Sequence, residues 1–262
     1  MSSGNLVQRA LDASDEQTAL GHERFEVEGA TFVRNTKIPQ KYYANHVERV
    51  TASSPDEIDR LIDRVNIEFE ASSHRCFYVD RTTPPEFEAW LVLEGYERTD
   101  ELVMLLTGDL LGIPNPYEIR HVQSDDEWHA YLGLVEVLER EDAPPEGRRT
   151  AAQQEKFLAT KQATCPPVRY WMAYLDGQPR AFFSSWTSSD GVGVVDDLFT
   201  HPDYRHRGLA TTLIHHSISD CRDQGAGPVV IVADASDTPK NMYAAMGFRP
   251  IAVTSQYVKD DD

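Results

Sequence analysis

Two hydrophobic periods alternate along the chain, and the alternation lays out its elements. Residues 1–22 are polar without a sustained period, which predicts a loose or partly helical lead-in. Phe25, Val27, Phe32 and Val33 predict a hairpin, and residues 46–51 a further strand. Ser54-Pro55-Asp56-Glu57 combines a capping hydroxyl, a first-turn proline and a capping-box glutamate. Ile58, Leu61, Ile62, Val65 and Phe69 then fall on one helical face. Residues 76–80 predict a strand, and Thr83-Pro84-Pro85-Glu86 opens a helix carrying Phe87, Trp90 and Leu91, with Gly95 as its cap. A strand follows at 101–107, and the stretch 108–116, with its glycines and prolines, predicts a linker.

The pattern then starts afresh. Residues 117–122 predict a strand, and Ser124-Asp125-Asp126-Glu127 is a second capping box, followed by Trp128, Tyr131 and Leu132. An acidic stretch at 136–145 precedes a helix at 150–161, which Pro166-Pro167 stops. Strands at 170–175, 180–187 and 192–200 are joined at Asp176-Gly177 and near Asp190-Gly191, both hairpin signals. A helix ending near Gly225, a strand at 228–234, a helix at 238–246 and a strand at 249–258 complete the chain. The class is α/β, and the chain divides into a lead-in (1–22), a first domain (23–107), the linker (108–116) and a second domain (117–262).

Chemistry concentrates between the third strand and its helix. There Arg205-His206-Arg207-Gly208-Leu209-Ala210 places a glycine and an alanine at a helix start. Unpaired first-turn amides and the helix dipole favour an anion there, and a pyrophosphate fits. The stretch has neither the G-x-G-x-x-G of dinucleotide folds nor the G-K-[ST] of P-loops. His201, His206, His215 and His216 look like a metal cluster at first, but their spacing offers no ligand set, and no metal is expected. Asp196 and Asp197 stand on the preceding strand, where alternation would turn them to opposite faces and group Asp196 with Leu198 and Thr200. In so acidic a chain a solvated pair is the plain alternative.

The same residues resemble motif A of the GCN5-related N-acetyltransferase (GNAT) family, R/Q-x-x-G-x-G/A. Tyr243-Ala244-Ala245-Met246-Gly247-Phe248 resembles the Y-x-x-x-G-F of its motif B. The resemblance covers about residues 117–258 and implies a mixed, mostly antiparallel sheet flanked by helices. The first half is similar in its strand-helix-Gly-aromatic order: Gly95-Tyr96 aligns with Gly247-Phe248, and Leu91 falls opposite Tyr243. Ser54-Pro55-Asp56-Glu57 lacks the glycine and arginines, so this half reads as a degenerate GNAT-like copy that has lost the coenzyme site, with a generic α+β lid as the alternative.

The resemblance implies acetyl-CoA as co-substrate and no metal. Its pantetheine arm would pair with Leu198, Phe199 and Thr200, and its pyrophosphate would sit on the amides from His206 through Arg207, Gly208, Leu209 and Ala210 to Thr211, with Arg205 adding charge. Tyr243 would protonate the leaving thiolate, and Asp196 is the candidate base. Ser236 stands where the family often has a coenzyme-binding asparagine. The expected function is transfer of acetyl to the amine of a small molecule or protein. A non-catalytic acyl-CoA sensor is the alternative.

Charge and composition narrow the partners. The net charge is −18, from 43 acidic and 25 basic residues, which disfavours nucleic acid and anionic membranes. Lysine is scarce, and the chain ends Lys259-Asp260-Asp261-Asp262, a surface suited to high salt, where repulsion is screened within ~3 Å at 1 M. Cys76, Cys165 and Cys221 form no C-x-x-C and are odd in number, so a reduced cytoplasm is expected. No signal peptide or membrane span is predicted, and the chain is expected to be a monomer or homodimer.

Overall fold

The computed structural model describes residues 3–142 and 148–260. It contains seven α-helices and eleven strands among the described residues, in a mixed, mostly antiparallel arrangement. No described helix is long and apolar enough to cross a membrane. Contacts divide the chain into two units, described in turn: one of residues 1–17, 105–231 and 244–249, the other of 18–104, 232–243 and 250–262.

The second of these units follows the sequence pattern closely. Strands β1 (Glu23–Val27) and β2 (Ala30–Arg34) form the expected hairpin, and β2 pairs antiparallel with β3 (His46–Glu48). Helix α2 (Pro55–Glu68) starts with the Ser54–Glu57 capping box and buries Ile58, Leu61 and Val65. Each such side chain contributes about 1.5–3 kcal/mol on leaving water. Strand β4 (His74–Val79) runs parallel to β3. Helix α3 (Pro85–Leu93) ends in a Schellman motif: Gly95 has φ 79°, and the Tyr96 amide donates to the Leu91 carbonyl. Strand β5 (Glu97–Leu106) follows. Phe32, Phe69, Phe77, Phe87 and Leu91 fill one core with Tyr257, which arrives on the last strand, β11 (Arg249–Asp260). That strand pairs antiparallel with β4 from Ser255↔Val79 to Asp260↔His74. The contact-defined units are therefore not contiguous in sequence, whereas the sequence pattern suggests contiguous domains. Strand pairing brings the tail to the first half.

The other unit holds the hairpins and the helix of the motif. Strand β6 (Glu118–His121) pairs with β7 (Arg169–Leu175), β7 with β8 (Gln178–Thr187), and β8 with β9 (Gly193–Thr200), all antiparallel. Strand β10 (Val229–Asp234) begins parallel to β9. Asp176 and Gly177 both take positive φ in the β7–β8 turn, as the hairpin signal requires. Helix α4 (Asp125–Asp142) extends through the first part of the acidic stretch, whose end at 143–145 lies outside the described residues. Helix α5 (Ala151–Ala163) starts at a Thr150–Gln153 capping box. Tyr131 of α4 packs on Tyr170 and Phe182. Helix α6 (Leu209–Asp223) covers the opposite face, where Asp220 accepts from Arg169 Nε and Ser185 Oγ, each at 2.6 Å. Of the two expectations for the lead-in, loose or partly helical, the structure has the helix: Ser3–Ala19 is α1. Its buried residues are Ala10, Leu11 and Ala13, too small and too few to print a period, and Arg9 ties it to Asp190.

Asp220 is a test of this packing, because its carboxylate joins α6 to both β7 and β8 and is only 12% exposed. Asp220→Ala should lower stability by about 3 kcal/mol, since it strands the Arg169 charge. Urea denaturation of the full chain measures this.

Candidate active site

The sheet opens at β9. Its pairing with β10 comprises only Val229↔Gly193 and Val230↔Val194, although β9 runs on to Thr200. From Val195 to Thr200 the strand keeps β8 on one side and has no β10 partner on the other among the described residues. Leu198, Phe199 and Thr200, expected to pair with a ligand's amide arm, lie on this free edge. Unpaired strand edges recruit further strand-like partners.

A register slip sets what the strand presents. Ser184 pairs with Asp196 and Phe182 with Phe199, so two β9 residues face one β8 residue. Asp197 absorbs the extra residue at φ 59°. The slip overturns the expected alternation. Cross-strand partners share a face, so Asp196 shares a face with Phe199, the one covered by α4 and α5, and not with Thr200. Nor does Asp197 turn to the other face, since its carboxylate meets Lys161 Nζ of α5. Both carboxylates are partly buried, which corrects the solvated alternative.

After β9, the short turn Pro202–Tyr204 leads into the loop. Two guanidinium groups lie over the Tyr204 ring, Arg180 at 4.2 Å and Arg207 at 5.2 Å from its centre. His206 takes φ 61° and Gly208 φ 84°, so the chain makes a left-handed bend into α6. The expected linker and the residue that follows it shape this bend: Asn115 Nδ2 and the Tyr117 hydroxyl donate to the Arg207 carbonyl at 3.0 and 2.7 Å. The Asn115 amide also donates to Thr212 Oγ1 at 3.1 Å. A Cβ on Gly208 would lie 2.3 Å from Asn115 Nδ2. The glycine is thus required by the protein's own packing, besides any ligand. The amides of Leu209, Ala210 and Thr211 have no acceptor among the described residues and form the open first turn of α6. Arg205 grips Glu141 with two hydrogen bonds of 2.6 and 2.5 Å, and its Nε donates to the Thr200 carbonyl at 3.1 Å.

Behind the slip lies a group of polar side chains that the sequence pattern does not single out: Lys161, Tyr131, Tyr170 and Gln17. Lys161 sits 5.6 Å from the Tyr170 ring centre, and Gln17 of α1 donates a hydrogen bond to Asp196. Burial pushes the Asp196 carboxyl up, the neighbouring Asp197 adds to the rise, and Lys161 opposes it. Burial works against the Lys161 charge, but Asp197 and Tyr170 outweigh it and hold the ammonium well above its ordinary range. Burial also pushes Tyr170 up to about 12. No local sequence signal points to this group, since Lys161 and Asp197 stand 36 residues apart.

Tyr243 and Ser236 belong to the other unit. Tyr243 is buried on α7 (Pro239–Ala245). Ser236 is exposed, and its amide and hydroxyl both donate to Asp234 at 2.6 Å in a local turn. Among the described residues no three His, Cys, Asp or Glu side chains gather as a metal requires. His215 and His216 are half-buried, and burial lowers both.

A parallel start of β9 and β10, a free edge beyond it and an open helix start together make up the geometry of this site. Residues 134–248 match the model of the acetyltransferase (GNAT) family, and this part of the chain is a GNAT domain. A GCN5-related N-acetyltransferase from Kribbella flavida shares the fold, with TM-score 0.69, 17% identity and 95% of each chain covered. So does a conserved protein of unknown function from Staphylococcus epidermidis, with TM-score 0.72, 16% identity, and 93% of this chain and 96% of that one covered. A tandem GNAT protein from the clavulanic acid biosynthesis pathway aligns with TM-score 0.59 at 12% identity, over 82% of this chain and 75% of its own. The first half is therefore also GNAT-like in fold. No curated protein matches the sequence.

Gly208→Ala should destabilise the chain by about 1–3 kcal/mol through its left-handed backbone alone. The contact with Asn115 adds to this. Combining it with Asn115→Ala should restore only part of the loss, because the backbone strain remains. Thermal denaturation of the single and double variants gives the comparison.

Proposed function

We propose that the GNAT domain is an N-acetyltransferase that moves acetyl from acetyl-CoA to an amine. The observation that supports it most is the free β9 edge running into an α6 first turn whose amides are unpartnered. Leu198, Phe199 and Thr200 offer backbone groups for an amide-bearing arm, and the turn from His206 to Thr211 offers amides for a pyrophosphate. These residues fit acetyl-CoA, which supplies an activated acetyl group as a thioester.

The protein's part is then proton handling and orientation. Asp196 takes a proton from the acceptor ammonium, leaving the nitrogen lone pair free to attack. Tyr243 gives a proton to the departing sulfur, and the second proton that the nitrogen sheds on becoming the amide restores the phenol by way of solvent. The acceptor is a cationic or neutral amine, because the site's excess carboxylates repel an anion. A cytoplasmic setting and a salt-adapted surface go with the acidic composition.

The test is isotopically labelled acetyl-CoA incubated with the protein and cell extract, with products read by mass spectrometry. Label on a defined amine supports the enzyme. Bound acetyl-CoA without transfer would overturn it in favour of an acyl-CoA sensor. Gly208 is a poor probe of the loop, since its replacement strains the fold. Ala210→Glu is better: a carboxylate at this first-turn position suits the helix but occupies the anion's place. It should weaken acetyl-CoA binding on the order of 100-fold in calorimetry, the loss of one or two charge-assisted hydrogen bonds. Tyr243→Phe should lower turnover about 100-fold while sparing that affinity.

A further inference from the structure

Lys161 and Asp197 form a salt bridge behind the β9 slip, with side chains 18% and 31% exposed. Phe157 and Tyr170 flank the ammonium at 5.7 and 5.6 Å. Shielded ion pairs add little net stability over apolar packing, so stability alone is a weak reason for this one. Its neighbour in sequence is Asp196, on the same face and hydrogen-bonded by Gln17. The cation is bonded to Asp197, and Asp196 is the next carboxylate along the strand. The groups facing Asp196 are Lys161 from α5, Asp197 from β9, Tyr131 from α4 and Gln17 from α1, and Tyr170 of β7 stands against Lys161.

We propose that Lys161 is a positioning residue for proton uptake at Asp196: its salt bridge fixes Asp197 in the slip and so sets the direction and charge environment in which Asp196 receives the acceptor's proton. The inference rests on Asp196 being the proton acceptor. In that step the N–H bond of the ammonium breaks, its electron pair stays on nitrogen, and the proton passes to an Asp196 carboxylate oxygen. Lys161 and Asp197 exchange no proton. The signs follow from charge. The Lys161 cation favours ionised Asp196, so its removal makes Asp196 keep a proton to higher pH. The Asp197 anion disfavours it, so its removal does the reverse.

The test is a carbon-13 titration of side-chain carboxyls in the full chain without ligand, the Asp196 signal being the one lost in Asp196→Asn. Lys161→Met should move the Asp196 midpoint up by about one pH unit, and Asp197→Asn should move it down by a similar amount. Lys161→Arg should return the midpoint to that of the parent. Loss of packing would not produce shifts of opposite sign. Unmoved midpoints, or shifts in the same direction, overturn the inference. Should Lys161→Met not fold, the near-isosteric Asp197→Asn decides by the direction of its shift. The labelled-transfer assay separates the two claims. Transfer with unmoved midpoints overturns this inference alone, and opposed shifts without transfer overturn the enzymatic reading alone.

Discussion

Strand β9 carries one residue more than β8 can pair, and the placement of that residue governs what surrounds it. Counting back from Phe199↔Phe182 without a slip would set Asp196 opposite Ser185. Ser185 already hydrogen-bonds Asp220, so Asp196 would join a second carboxylate beneath α6. The slip at Asp197 sends Asp196 to the α4–α5 side, where Lys161 supplies a counter-charge. It keeps Phe199 packed on Phe182 at 5.3 Å, so the aromatic core is undisturbed. A non-glycine residue with positive φ costs on the order of 1 kcal/mol. The salt bridge at the same residue is the compensation in view.

The loop before α6 shows a related economy. Its left-handed bend is fixed from outside by Asn115 and Tyr117, which bond the Arg207 carbonyl. With that carbonyl held, the loop need not close on itself, and the first-turn amides of α6 remain open. A segment composed like a linker thus acts as a brace. Its glycines and prolines announce irregular backbone, but composition carries no trace of the tertiary bonds irregular backbone can make.

Much of the fold was legible in the sequence because it is written in local terms. The capping boxes at Ser54 and Thr150, the Asp176-Gly177 turn and the Gly95 cap each depend on a few adjacent residues. The first α6 turn was legible for the same reason. What escaped was non-local. Helix α1 buries two alanines and a leucine, which give no period. The destination of β11 depends on pairing with β4, far away in sequence. The face of Asp196 could not be had from alternation, because a slip is a property of two strands together, and Lys161 gains its meaning only from the face that slip exposes.

Charge poses the remaining question, since a chain of net −18 should repel the anionic co-substrate proposed for it. Long-range repulsion is screened over about 8 Å at physiological ionic strength, while amide contacts act at hydrogen-bond distance and survive. The arginines follow the same logic. Arg205 is paired with Glu141, but both side chains are more than a third exposed, at 41% and 34% in turn, and such a pair contributes about 0.2–1 kcal/mol. A phosphate that brings a charge-assisted hydrogen bond of about 1.5–3 kcal/mol can displace the glutamate. On the proposed reading, Glu141 holds Arg205 beside the Thr200 carbonyl, at the end of the free strand edge, where the guanidinium would meet the coenzyme's phosphate.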